Sequence, residues 1–159
     1  DAPLPIPGGQ TISQPYIVAA MIEALNLTPE ERVLDVGTGS GYAAAVLSRI
    51  AGHVFTIERH EELVNTASQR FLDLGYDNIT SCHGDGRLGW PEHAPFDAIV
   101  VAAATREVPD ALLEQLAIGG RIVIPVGRAA HQTLTRIERV APDEFERSKL
   151  ESVRFVPLV

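Results

Sequence analysis

Val33-Leu34-Asp35-Val36-Gly37-Thr38-Gly39-Ser40-Gly41-Tyr42 is the stretch on which the fold turns. Its first four residues read as a short apolar strand carrying one acid, and the next five as a glycine-rich turn that opens a helix. Glycines permit the tight turn and let a ligand approach the backbone. Downstream, the spacing predicts a helix over 42–50 stopped by Ala51-Gly52, a strand over 54–57, a helix over 61–74 and a strand over 79–82. Glu61 and Glu62 fall in the first turn of the second of these helices, where the dipole favours negative charge. Residues 96–103 form a nearly all-apolar run, as a strand covered on both faces requires. A short helix over 110–117, a strand over 121–126 and a final antiparallel pair over 134–140 and 152–156 follow, with the polar segment 141–151 read as a loop. Upstream, Pro15, Val18, Ile22 and Leu25 mark a first helix, and the Pro- and Gly-rich residues 1–15 an extended arm.

Repeated strand–helix–strand units predict an α/β fold: a Rossmann-like, mostly parallel central sheet with helices on both faces and a C-terminal antiparallel strand pair. Ligands of such sheets bind beyond the carboxyl ends of the strands. The chemistry is therefore expected in the loops after residues 36, 57, 83 and 103.

The chain has 159 residues, the length of one domain, with 45% hydrophobic and 21% charged residues. The net charge of −8 argues against nucleic acid or an anionic membrane as main partner, because phosphate binding rests on Lys and Arg density. No apolar run approaches the ~20 residues of a membrane span. The single cysteine, Cys82, makes no internal disulfide and reads as a buried packing thiol, so the chain is expected to be cytoplasmic. The five histidines are scattered, and no pair has metal-ligand spacing, so no metal is expected. Ser40 is not a nucleophile elbow, because Thr38 and Tyr42 stand where that motif needs glycine.

Three acids follow the strands. Asp35 precedes the glycine loop and suits a cationic ligand better than a pyrophosphate. Glu58 closes the second strand, 21 residues after Gly37, where an acid can accept both hydroxyls of a ribose. Asp85, in His83-Gly84-Asp85-Gly86, is placed to meet an exocyclic amine. The loop is G-x-G-x-G, and Tyr42 stands where the dinucleotide fingerprint needs its third glycine, which disfavours a nicotinamide-dependent oxidoreductase. Candidate ligand-binding residues are Asp35, Gly37, Thr38, Gly39, Gly41, Glu58, Arg59, Gly84, Asp85 and Gly86. Taken without further context, Ser13 reads as a helix-start residue ahead of Pro15. Trp90, before Pro91, reads as a structural lid on its loop.

Val33 to Tyr42 resembles the first motif of class I S-adenosylmethionine-dependent methyltransferases, and Glu58 and Asp85 fall at that superfamily's ribose and adenine positions. Within it, Gly9-Gln10-Thr11-Ile12-Ser13-Gln14-Pro15 resembles the signature of the protein-L-isoaspartate O-methyltransferases. So do Leu74-Gly75-Tyr76-Asp77-Asn78, His83-Gly84-Asp85-Gly86, Gly89-Trp90-Pro91, Ala94-Pro95-Phe96-Asp97-Ala98-Ile99 and Ile124-Pro125-Val126-Gly127. The resemblance covers essentially the whole chain. It implies one S-adenosylmethionine-dependent methyltransferase domain over 1–159, with residues 1–15 as a substrate-side arm and the family's longer N-terminal segment absent. Pro7-Gly8 stands where the family usually carries Gly-His, beside its substrate site.

The resemblance further implies an enzyme that methylates the free α-carboxylate of L-isoaspartyl residues in damaged proteins or peptides. S-Adenosyl-L-methionine is the donor and S-adenosyl-L-homocysteine the product. Ser13 and Thr11 would be the active-site residues: Ser13 would hold the carboxylate and Thr11 would shape the pocket. Asp35 would hold the methionine amine and Glu58 the ribose. Two alternatives stay open: the same cofactor with an RNA or small-molecule acceptor, and a cofactor-binding module without turnover. The absence of a basic patch counts against RNA, and Ala102-Ala103-Ala104-Thr105 lacks the motif of amino-group methylating enzymes. Oligomeric state and protein targets are left open.

Overall fold

The computed structural model describes residues 4–159, with the side chains of residues 8 and 10–12 outside the description. In chain order the elements are β1 (Leu4–Ile6), β2 (Gln10–Ile12), α1 (Pro15–Leu25), β3 (Arg32–Val36), α2 (Tyr42–Ser48), β4 (His53–Glu58), α3 (Glu61–Asp73) and β5 (Ile79–His83). These are followed by β6 (Phe96–Val101), α4 (Asp110–Glu114), β7 (Leu116–Arg128), β8 (His131–Ala141) and β9 (Glu144–Val153). The main sheet runs in the order β5-β4-β3-β6-β7-β8-β9. Its first five strands are mutually parallel, and β8 and β9 are antiparallel to their neighbours. The α/β expectation with a C-terminal antiparallel pair holds. The order reverses between β3 and β6, so a crevice is expected beyond their carboxyl ends.

Alternation along β3 sorts its side chains to the two faces. Val33 joins a cluster under α1, α2 and α3 with Met21, Leu47 and Phe71, whereas Leu34 and Val36 join Phe55, Ile99, Leu112 and Ile122 on the other face. Helices thus cover both faces, three on one side and the single turn-and-a-half of α4 on the other. Gly41 shows why the loop ends in glycine: φ is +90°, and a Cβ there would lie 2.8 Å from the Phe71 ring.

α1 is tied down at its C-terminal end. Arg121, at the start of the buried part of β7, donates to the carbonyl oxygens of Leu25 and Asn26, which the helix leaves unpaired, and forms an ion pair with Glu31 at 2.8 Å. That guanidinium holds the Glu31 carboxyl below the usual carboxylate range. The opposite end of α1 then lies toward the carboxyl edge of the sheet, which matters below.

Three expectations are corrected. Segment 141–151 is not a loop: β8 turns at Pro142-Asp143 and returns as β9. It reads as polar because β9 is an edge strand with mostly exposed residues, and charge on an edge blocks further pairing. Residues 154–156, expected in a strand, leave the sheet once β9 ends at Val153. The arm is not simply extended, since β1 and β2 form a small hairpin across the 3-10 turn Pro7–Gly9.

Candidate active site

The carboxyl ends of β3, β4 and β6 open into a cavity of about 1100 Å3. Val36, Gly37 and Gly39 form part of its wall, beside Ile57, Glu58, Arg59 and His60 from the end of β4. Ser13, Gln14 and Ile17 enter from the N-terminal end of α1. Gln14, not Ser13, occupies the helix N-cap, so the side chain of Ser13 is not spent on capping.

Glu58 is 6% exposed and fully engaged with backbone. Its Oε1 accepts the Gly39 N–H at 2.9 Å and its Oε2 accepts the His60 N–H at 2.9 Å, so one carboxylate ties the glycine loop to the exit of β4. Each oxygen retains a lone pair for a hydroxyl donor. Gly86 lines the same cavity, and a Cβ on it would lie 2.4 Å from Val36 Cγ1, so only glycine brings this backbone down on to the end of β3.

Asp35 stands elsewhere. It is 1% exposed and off the cavity wall. Its Oδ2 accepts from the Thr56 hydroxyl at 2.8 Å, and the Thr56 and Thr38 hydroxyls share a bond at 2.5 Å. Its Oδ1 has no partner among the described residues. Burial pushes the carboxyl up to about 7, with the Glu58 charge adding to the rise and the Thr56 bond opposing it. Strand alternation turns Asp35 to the Val33 face, where it is a buried strut beneath the loop.

Asp85 is also off the wall. It caps a 3-10 turn by accepting the Arg87 N–H at 3.0 Å and pairs with the Arg87 guanidinium at 2.8 Å, which holds its carboxyl below the usual range. The cavity thus brings together Ser13, Gly37, Gly39, Glu58, Arg59 and Gly86, and leaves Asp35, Thr38, Gly41, Gly84 and Asp85 outside its lining. The side chain of Thr11 lies outside the described residues. Among the described residues no group of His, Cys, Asp and Glu is placed to hold a metal ion, and no helix is long and apolar enough to cross a membrane. Burial pushes the Cys82 thiol up, and Trp90 packs edge-on against Phe55 at 5.9 Å, away from the cavity.

The sequence profile of the protein-L-isoaspartate(D-aspartate) O-methyltransferases matches residues 1–159. The chain belongs to this family. It is 60% identical over 160 residues to protein-L-isoaspartate O-methyltransferase 2 of Pelobacter propionicus, covering 100% of this chain and 71% of that relative. A solved protein-L-isoaspartate O-methyltransferase superposes with a TM-score of 0.89 at 31% identity, over 99% of this chain and 52% of that one. A Plasmodium falciparum protein assigned to the same activity, solved in complex with S-adenosyl-L-homocysteine, superposes with a TM-score of 0.81 at 29% identity, over 100% of this chain and 80% of its own.

In this isoaspartate methyltransferase family member, one wall of the cavity escaped sequence reading altogether. Residues 152–159 line it, together with Ala102, Ala103, Ala129 and Ala130. A Val- and Phe-rich run reads as strand, and nothing local says that residues 154–158 leave the sheet. They do so because Ala104 captures them: its N–H donates to the Val156 oxygen and its oxygen accepts the Leu158 N–H, both at 2.8 Å.

Proposed function

We propose that the chain transfers a methyl group from S-adenosyl-L-methionine to the free α-carboxylate of L-isoaspartyl residues in damaged proteins or peptides, a repair step carried out in the cytoplasm. The reading treats residues 1–159 as one methyltransferase domain with residues 1–15 as its substrate-side arm. The observation that carries it is that Ser13, from the family's signature segment, and Glu58, with the glycine loop, line one cavity. That cavity, with glycine backbone on two sides and a carboxylate holding free lone pairs, fits a nucleoside-bearing ligand.

S-Adenosyl-L-methionine bound there supplies a methyl group activated by a positively charged sulfur. Glu58 accepts from the ribose hydroxyls, and Gly37, Gly39 and Gly86 let the backbone close on the ligand. Arg59 extends that side of the wall. Asp35, Thr38 and Gly41 brace the loop from behind, while Gly84 and Asp85 frame the adenine end, with Arg87 as the partner that Asp85 must share. Ser13 donates its hydroxyl to the acceptor carboxylate, and Thr11 shapes the pocket beside it.

An acceptor carboxylate is already ionised near neutral pH, since its ordinary pKa is about 4. The residues need not remove a proton; they orient two reactants, which supplies a large share of a rate enhancement. A site that holds the α-carboxylate of an isoaspartyl linkage rejects a normal aspartyl side chain, whose carboxylate sits one methylene further from the main chain. The test uses two peptides differing only in an Asp or isoAsp linkage and a radiolabelled methyl donor. Label on the isoaspartyl peptide alone is expected; equal label on both, or on neither, overturns the reading.

A further inference from the structure

Gln132 is 4% exposed, sits two residues into β8 and does not itself line the cavity. A polar amide at such a site must be paired, because an unpaired buried one costs about 1–3 kcal/mol. Its partners are all backbone. Oε1 accepts the Phe155 N–H at 2.7 Å, and Nε2 donates to the Phe155 oxygen at 3.1 Å and to the Ala129 oxygen at 3.1 Å. The amide therefore stands in for a neighbouring strand at a point where β9 has already ended. It joins two stretches that both line the cavity, the β7–β8 turn at Ala129 and Ala130 and the segment 152–159. Ala129 holds a left-handed φ of 31°, a conformation that needs such an outside contact to persist.

We infer that Gln132 is the positioning residue for the acceptor: its buried amide clamps the 152–159 wall to the β7–β8 turn and so sets where the acceptor peptide lies against the methyl donor. The inference rests on the isoaspartyl reading for the identity of the acceptor. The glycine loop and Glu58 draw on none of these bonds, so cofactor binding is independent of the clamp. Ala104 anchors the wall through its backbone, β8 pairs with Ser152 and Val153, and Phe155 and Leu158 pack against the core clusters; Gln132 is the side chain whose hydrogen bonds tie Phe155 to the β7–β8 turn.

The experiment compares wild type with Gln132→Leu, and with Gln132→Met as an unbranched variant of similar length. It measures kcat and KM for an isoaspartyl peptide, S-adenosyl-L-homocysteine affinity, and amide exchange at Phe155. The expected result is a kcat/KM for the peptide lowered by about tenfold or more, as misplacement by a fraction of a bond length would bring. Cofactor affinity should stay within about twofold of wild type, and Phe155 should lose its exchange protection. An unchanged peptide kcat/KM overturns the role of Gln132, as does an equal loss of cofactor affinity, which would mean general damage. Should neither variant fold, the wild-type exchange decides: a Phe155 amide that exchanges as freely as an open loop overturns the clamp, whereas protection that deepens over 153–157 with the acceptor peptide bound supports it. A wild type that labels neither peptide overturns the isoaspartyl reading itself, which no result on the variants alone can do.

Discussion

Two parts of one cavity wall are built on different principles. The first, from Val36 to Gly39 and from Ile57 to His60, rests on adjacent parallel strands whose ladder places residues 36 and 57 side by side. Its loop is held by contacts from close at hand: Glu58 to the Gly39 amide, and Asp35 through Thr56 to Thr38. The second, residues 152–159, belongs to no strand beyond Val153 and is held there by Gln132 and Ala104 from other elements. A wall made of ladder and turn keeps its shape by local geometry. A wall held by segments distant in the chain keeps it only while the rest of the fold is in place.

The largest effect concerns Asp35. Its carboxyl is raised to about 7, so between about pH 4 and 7 the folded chain holds a proton that the unfolded chain has lost. Stability contributed by this group therefore falls as pH rises through that window and is level above it, a change of up to about 4 kcal/mol. Asp35→Asn removes the slope. In urea melts the midpoint difference between variant and wild type should grow from pH 5 to pH 8; a constant difference would mean that the buried strut is not titrating.

Glu58→Ala comes next. It strips the acceptor from two backbone amides and from the ribose hydroxyls, and should weaken S-adenosyl-L-homocysteine binding by about 1–3 kcal/mol. Calorimetry reads it, and the peptide KM should hardly move. A loss on the peptide side of equal size would dissolve the distinction between the two walls.

Ser13→Ala should do the reverse. Turnover of the isoaspartyl peptide falls by roughly tenfold or more, the worth of a hydrogen bond to a charged group. Cofactor affinity stays level, and steady-state kinetics beside a calorimetric titration separates the two.

The smallest effect is that of Arg87→Ala. Asp85 loses a partner at the surface, where ion pairs contribute little, and its carboxyl becomes free for an exocyclic amine. Cofactor affinity should change by no more than a few fold, and toward tighter binding. A matched titration with the inosine analogue, which lacks that amine, should show no gain.

What was legible in the sequence follows the same division. The alternation of short apolar runs with helical stripes is a local signal, so β3, α2, β4, α3, β5 and β6 stand close to their expected bounds. The glycine loop was legible because only glycine turns there: Gly41 has no room for a Cβ against Phe71, and Gly86 none against Val36. Glu58 was legible as a cavity residue because it closes the strand that follows the glycine loop and its helix, 21 residues after Gly37.

Asp35 was singled out from the sequence, but its burial beneath the loop was not legible there. Its identity is local, but whether a residue at the end of β3 faces the cavity or the underside of the loop depends on which face the helices cover. β9 was missed because an edge strand carries the charge pattern of a loop, and pairing with β8 is a tertiary event. The clamp at Gln132 lay further out of reach, since a glutamine between His131 and Thr133 reads as a surface position until the chain 23 residues later returns to it. The sequence by itself determined the parallel core and the turn that opens the cavity, because these rest on periodicity and on backbone conformations that few residues tolerate; its motifs carry the family resemblance. Only the tertiary structure decided which acids face the cavity and how residues 152–159 complete its wall, because those depend on contacts between segments far apart in the chain, which leave no periodic trace in either one.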